Sequence, residues 1–369
     1  MFVVVRVLAV LLGTGVVLAM LASAVKTVVM PRAEPAQLTR WVFVGVRKPF
    51  DVRLRKLGEW HDADRLMARY APFALVMLPG VWMAILVFGF VPIYWGLGLG
   101  WRDAVMQSGS SALTLGFATD THGSYLATTF VEATLGLGLI ALLISFLPSI
   151  YGQFSHREVL VSQLDTWAGT PPSPVGLFRR ANTIGWMGQL DDFWADWERW
   201  FAEIEESHTS FQALPFFRST RPQRSWITAA GAVLDGAALR ASTLDLPPSW
   251  RAQLCLRSGY LALRGIASTF DIAYDDAPDP SDPISITRDE YDEVVDELVA
   301  LGIAVKPDRD QAWRDFAGWR VNYDLPLLAL CGLVMAPVAP WSSDRSVNYR
   351  VRVVTMPRRR NGRPPGTPS

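Results

Sequence analysis

Three long apolar stretches dominate the amino-terminal half of the chain. They run over residues 7–25, 71–100 and 125–154, and the second contains no charged residue. A helix of about 20 apolar residues crosses a hydrocarbon core of roughly 30 Å, so each stretch predicts one membrane span. After residue 155 the pattern changes to one of polar and amphipathic helices. The pattern therefore predicts an all-α integral membrane protein with a helical carboxyl-terminal domain.

The first stretch has two interpretations. Arg6 precedes it and the small residues Ala22–Ala24 end it, which is also typical of a cleaved signal peptide. The connector at 31–65, however, carries eight Lys and Arg residues, and such loops stay on the cytoplasmic side. We therefore expect an uncleaved anchor with its amino terminus outside, and a cytoplasmic connector and carboxyl-terminal domain.

A stretch of small and polar residues separates the second and third spans. Asp103 favours the start of a short helix over Ala104–Leu113, and Thr114–Ala118 follows it without helical character. Non-helical backbone at membrane depth is tolerated only where protein buries it or where it lines a wet cavity. A short helix aimed into the membrane places its negative carboxyl end where it attracts a cation.

The pentad after this short helix resembles the selectivity filter of pore-loop potassium channels, which reads TVGYG. The order of span, short helix, pentad and inner span also agrees with that family, over residues 70–155. The chain differs in having Phe117 for the tyrosine, Ala118 for the last glycine, and Thr119 inserted before Asp120. The matching filter positions are Thr114, Leu115, Gly116, Phe117 and Ala118.

The resemblance implies a homotetramer that passes a monovalent cation, K⁺ in the family, across the plasma membrane of a bacterial-type cell. The resemblance implies no cofactor other than this permeant ion. It also implies that Asp120 supports the filter. The alternative is that TLGFA is an ordinary extracellular loop between two spans.

Three residues of the third span have open roles. Gly136 and Gly138 are candidates for a gating hinge, as the family has at mid-helix, or for close helix packing. Glu132 is the only acid within a span, and such a residue usually faces the bundle interior or water. The possible roles of Glu132 are that it braces the pore helix from Ser110 or Ser111, that it is protonated, or that it attracts cations.

The carboxyl-terminal half shows serial helix signals. Aromatic residues at helical spacing predict one amphipathic helix over 179–207, and their stripe favours core or oligomer contacts. Further helices are predicted at 224–242, 248–270 and 288–301, the last opened by a capping box of Thr287 and Glu290. The apolar run 325–341 holds three prolines, which favours a buried segment over a fourth span.

These signals divide the chain into five parts. We expect an anchor at 1–30, a basic cytoplasmic connector at 31–65, a pore module at 66–155, a helical cytoplasmic domain at 156–345 and a basic Pro/Arg-rich tail at 346–369.

Charge and motif content narrow the function classes. The formal net charge is zero, which does not fit a nucleic-acid binder, and the two cysteines have no metal-ligand spacing. No nucleotide loop, nucleophile elbow or His/Cys metal set is recognisable, so we expect no enzyme. The main alternative to a channel is a membrane-anchored scaffold or sensor with a non-conducting pore module.

Overall fold

The computed structural model describes residues 2–28, 37–57, 60–118 and 123–346, and these ranges are all-helical. The residues around Asp120 and the tail from 347 lie outside them. The α-helices are α1 (Phe2–Val28), α2 (Gln37–Leu54), α3 (Trp60–Ala68), α4 (Tyr70–Leu97), α5 (Trp101–Ala112), α6 (Gly123–Ala168), α7 (Pro174–Thr183), α8 (Asp191–Ser210), α9 (Trp226–Ser242), α10 (Trp250–Thr269), α11 (Arg288–Ala300), α12 (Arg309–Arg320) and α13 (Asp324–Val334).

Three helical stretches are long and apolar enough to cross a membrane: α1, the run through α3 and α4, and α6. This confirms the three predicted apolar spans at the level of helix length and composition. The third helix has 46 residues, or about 69 Å at the usual helical rise. It passes through residue 155 without interruption, so the helix of the third apolar stretch continues into the carboxyl-terminal half of the chain.

The apolar helices are held together by a shared core. Buried side chains of α1, among them Val17, Met20 and Ala24, pack against Leu78, Trp82 and Leu86 of α4. The amino-terminal span is thus an integral part of this helix assembly.

The described part of the connector between α1 and α4 forms the helices α2 and α3, which its basic composition did not reveal. The apolar face of α2 packs on the first turns of α4, where the Tyr70 hydroxyl donates to the Phe43 carbonyl oxygen at 3.2 Å. The carboxyl-terminal domain contacts the same end of α4 through Phe216, whose ring meets that of Tyr70. The short helix α5 follows the other end of α4, at Leu97.

The carboxyl-terminal domain is built around α9, which is buried along almost its whole length. The aromatic side chains of α8, including Trp194, Trp197 and Trp200, lie in this core, as one of the predicted alternatives required. The predicted single helix over 179–207 is wrong, because the chain turns between α7 and α8. Gly185 adopts φ of 71° at that turn, a backbone conformation that glycine accepts freely.

The apolar run near the end of the described chain belongs to the same core. Its helical part is α13, whose 11 residues span about 16 Å, too few to cross a bilayer. Leu327, Leu330 and Cys331 are buried against the other helices of the domain. The capping box of Thr287 and Glu290 forms as predicted.

Candidate functional site

The short helix α5 runs back along the apolar helices toward their middle. The Ser108 hydroxyl lies 2.9 Å from the carbonyl oxygen of Val87, which is ten residues, or about 15 Å, before the end of α4. At its carboxyl end, Ala112 meets Gly136 of α6. Both contacts lie at least ten residues from the ends of α4 and α6 that adjoin α5.

A buried cluster around Glu132 fixes α5 between α4 and α6. The Tyr94 hydroxyl of α4 donates to one carboxyl oxygen of Glu132 at 2.8 Å. The Ser108 hydroxyl of α5 lies 2.5 Å from the other. Glu132, Tyr94 and Ser108 are all fully buried, so three helices meet at one carboxyl group. A buried polar group that is hydrogen-bonded in this way specifies one helix arrangement.

A second set of bonds joins α5 to α6 one turn earlier on α6. The Gln107 amide donates to the Thr129 hydroxyl at 2.8 Å, and the Ser111 hydroxyl donates to the Thr129 carbonyl oxygen at 2.9 Å. Sequence reasoning missed Gln107, Ser108, Tyr94 and Thr129. The spacing of these polar residues was an available signal. Ser108 and Ser111 are three residues apart on α5, and Thr129 and Glu132 are three residues apart on α6, so each pair lies on one face of its helix.

The predicted contact between Glu132 and a serine of α5 is present, and its closest serine partner is Ser108. Of the two serines that the sequence suggested, Ser111 also interacts with the Glu132 carboxyl group. Ser110 instead supports the loop, because its hydroxyl accepts the backbone N–H of Ala118 at 3.1 Å. Successive helix residues are about 100° apart, so a shift of two positions changes which face of α5 is involved.

The pentad Thr114–Ala118 leaves α5 as a loop without regular structure. Thr114 and Gly116 have positive φ values of 54° and 71°. The N–H groups of Thr114 and Leu115 donate to carbonyl oxygens at the end of α5, at 3.0 and 2.8 Å, and that of Ala118 donates to Ser110. Three of the five backbone N–H groups of the pentad are thus bonded to α5.

The side chains of the pentad lie on the outside of the single chain. Leu115 is 61% exposed and Phe117 is 63% exposed, although the loop follows a helix that is mostly buried. Asp120, the remaining predicted support of the filter, lies outside the described residues.

The two candidate hinge glycines have different surroundings. A Cβ atom at Gly136 would lie 2.2 Å from the Ala112 carbonyl oxygen, so Gly136 permits α5 and α6 to touch. At Gly138 a Cβ atom would meet nothing within 4 Å. Gly136 therefore permits close packing of α5 on α6, and a hinge role for either glycine stays a prediction.

The described residues contain no group of three or more His, Cys, Asp or Glu side chains that could hold a metal ion. What the site offers chemically is a braced helix end, backbone oxygens of a loop and one buried carboxyl group. No family model, curated protein or solved structure matches this chain.

Proposed function

We propose that the protein is one subunit of a homotetrameric cation channel and that Thr114–Ala118 line its conduction pathway. The observation that carries this proposal is the path of α5. This short helix returns between α4 and α6, is fixed there by Glu132 and Ser108, and ends in an exposed loop. A plain loop between two spans requires no such anchored helix.

The backbone of the loop suits a cation more than an anion. Its N–H groups at Thr114, Leu115 and Ala118 are engaged by α5. Carbonyl oxygens can then replace the water shell of a cation, as in potassium-channel filters. The negative carboxyl end of α5 adds to this attraction. The permeant ion we propose is monovalent, with K⁺ as the ion that the resemblance implies.

A stripe of exposed apolar side chains along α6 supports assembly of several copies. Its members follow the alternating spacing of three and four residues that packs helices against each other in coiled coils. They are Phe130, Leu137, Ile140, Ile144, Leu147 and Tyr151. One chain supplies a quarter of a four-fold filter, and copies of α6 meeting along this stripe would surround the common axis.

The orientation we propose places the basic connector and the carboxyl-terminal domain on the cytoplasmic side of the plasma membrane. The two lie at the same end of α4, so the positive-inside rule applied to α2 orients both. The loop after α5 then opens outside, and the carboxyl-terminal domain can act on α6 from inside.

The proposal is tested with purified protein in liposomes, by K⁺, Na⁺ and Cl⁻ flux and by the oligomeric state. We expect a tetramer that passes cations and excludes chloride. Gly116→Ala should abolish or strongly reduce flux, because alanine at φ of 71° is strained. The matched control is Gly109→Ala on α5, where a Cβ atom meets nothing within 4 Å and flux should persist.

Two outcomes would contradict the proposal. A tetramer that passes no ion would exclude the channel and favour the membrane-anchored scaffold or sensor. Flux that is the same in Gly116→Ala and wild type would remove the filter assignment while leaving a channel of another construction.

A further inference from the structure

The helix α2 has two faces of different character. Its buried face carries Phe43, Val46 and Phe50, which pack in the cluster with Tyr70, Ala71 and Ala74 of the adjoining helix α4. On the opposite face Trp41 is 62% exposed and Val52 is 57% exposed, with Lys48 between them. The spacings of seven and four residues place these three side chains in one line along the helix.

The level of α2 relative to the apolar helices follows from its contacts. Ala71 begins the stretch of α4 that contains no charged residue, and α2 packs on Tyr70, Ala71 and Ala74. The helix therefore lies beside the first turns of a membrane-length helix, where hydrocarbon is expected to give way to headgroups. Tryptophan is enriched at that depth because its ring is apolar and its N–H is polar.

The charge of this helix is strongly unbalanced. Residues 37–57 contain six Lys or Arg side chains and one acid, Asp51. Arg47 is paired with Asp51 at 2.9 Å, and Arg40 is paired with Asp271 at 3.1 Å. The other four are exposed and have no ion-pair partner in the part of the chain that the structure describes: Lys48, Arg53, Arg55 and Lys56.

We propose that the exposed face of α2, formed by Trp41, Lys48 and Val52 and continued by Arg53, Arg55 and Lys56, binds the anionic headgroup layer of a phospholipid bilayer. An aromatic and aliphatic side chain enter the interface while the basic side chains meet lipid phosphates. Charge complementarity selects this occupant, because the face joins a cationic surface to apolar side chains at the membrane boundary. The assignment holds whether or not the protein conducts ions.

The test uses full-length protein in nanodiscs of phosphatidylcholine with increasing phosphatidylglycerol. Val52→Cys carries an environment-sensitive fluorophore, the native Cys255 and Cys331 being buried. We expect blue-shifted emission and reduced quenching by acrylamide as the phosphatidylglycerol content rises, with reversal at high salt. The same label at Val299→Cys, an exposed valine of α11, should not respond.

Matched charge variants identify the residues responsible. Lys48→Gln, Arg53→Gln, Arg55→Gln and Lys56→Gln are combined in one variant. Loss of a single basic contact should raise about fivefold the phosphatidylglycerol content at which the fluorescence shift is half complete. Because this variant lacks four such contacts, it should lose the response. The control variant neutralises four exposed arginines of the carboxyl-terminal helices and should keep the fluorescence response. These arginines are Arg180, Arg199, Arg257 and Arg314.

Each remaining outcome overturns the proposal. Equal exposure of the Val52 label in both lipids would mean that the face is not on the bilayer. If shielding of the Val52 label increases with protein concentration at a fixed phosphatidylglycerol content, the face contacts another copy of the chain and not the bilayer. A four-residue variant that behaves as the control does would exclude these side chains as the contact.

Discussion

At the scale of single residues, Glu132 decides how α5 is held. Replacing it by alanine leaves the hydroxyls of Tyr94 and Ser108 buried without this partner. The Ser108 hydroxyl keeps the Val87 carbonyl oxygen as a partner and the Tyr94 hydroxyl keeps Thr129. We therefore expect Glu132→Ala to lower the free energy of unfolding by about 2 kcal/mol, since each of the two lost hydrogen bonds contributes roughly 1 kcal/mol. The measurement is thermal or denaturant unfolding of the purified protein in detergent.

Two variants separate the hydrogen bonds of Glu132 from its volume. Glu132→Gln keeps the shape and can still bond to both hydroxyls, so it should lose less than half as much stability as the alanine variant. Thr134→Ala, at an exposed position of the same helix, should change little. Equal losses in Glu132→Gln and Glu132→Ala would show that the cluster does not depend on a hydrogen-bonding side chain of this shape.

Gly136 and Gly138 form a second matched pair. In Gly136→Ala the new methyl group collides with the Ala112 carbonyl oxygen, which is backbone and cannot rotate away. We expect a loss of about 3 kcal/mol, at the upper end of the usual cost of overpacking. Gly138→Ala has open space, so its stability should be unchanged or slightly higher.

The same pair tests the hinge interpretation. If Gly138 bends α6 during gating, Gly138→Ala alters flux without altering the unfolding midpoint. A Gly138→Ala protein that matches wild type in both measurements removes the hinge role, and an unchanged midpoint in Gly136→Ala would contradict the packing role.

The sequence identified Glu132 and Gly136 as unusual but could not identify their partners. A lone acid in an apolar span and a glycine at mid-helix stand out from composition alone. Which serine of α5 faces Glu132 depends on how α5 is rotated against α4 and α6. That rotation is set by packing between helices distant in sequence, so Ser108 was missed in favour of Ser110 or Ser111.

At the scale of elements, long helices with strong patterns were predictable and short interruptions were not. Apolar length located α1, α4 and α6, and the Thr287–Glu290 capping box located the start of α11. The turn between α7 and α8 was missed because its aromatic residues continue the helical spacing. Gly185 was the available signal there. Helix α12, with its mostly polar surface, gave no clear apolar period.

The start of α11 also predicts a dependence on pH. Hydrogen bonds from Arg345, with those from Thr287, lower the pKa of Glu290 to about 2 from its ordinary value of 4.5. A carboxyl whose pKa is lower in the folded protein adds stability above its unfolded pKa. That contribution is lost as pH falls from 4.5 toward 2. Glu290→Gln should therefore be less stable than wild type at neutral pH, with a difference that shrinks across this range.

The measurement is the unfolding midpoint of both proteins between pH 7 and pH 2. The control is Glu293→Gln, an exposed position of the same helix that does not contact Arg345. The interpretation fails if the difference between wild type and Glu290→Gln stays constant with pH, or if Glu293→Gln reproduces it.

At the scale of the whole molecule, one buried and one partly buried arginine join the apolar helices to the carboxyl-terminal domain. Arg157 of α6 is buried and donates to the carbonyl oxygens of Leu214 and Phe217 at 3.1 and 2.8 Å. Arg218 pairs with Asp64 of α3 at 2.7 Å and donates to two carbonyl oxygens at the end of α13. The long uninterrupted α6 provides a third connection.

This construction matters for the proposed channel because α6 carries the apolar stripe along which we propose that subunits meet. A movement of the carboxyl-terminal domain can reach α6 through Arg157 and through the helix itself. Sequence alone did not predict this connection, since the contacts of Arg157 and Arg218 lie mostly on backbone carbonyl oxygens, which every residue has.

The last prediction follows from this connection. In wild type we expect the apolar helices and the carboxyl-terminal domain to unfold in one calorimetric transition. Arg157→Met with Arg218→Met removes the paired guanidinium groups but keeps much of their volume, so the domain should melt separately and earlier. Arg309→Met, which breaks an exposed pair with Asp296 inside the domain, should keep one transition. A single transition in the double variant would show that α6 alone couples the two parts, because it would then transmit the cooperativity without either arginine.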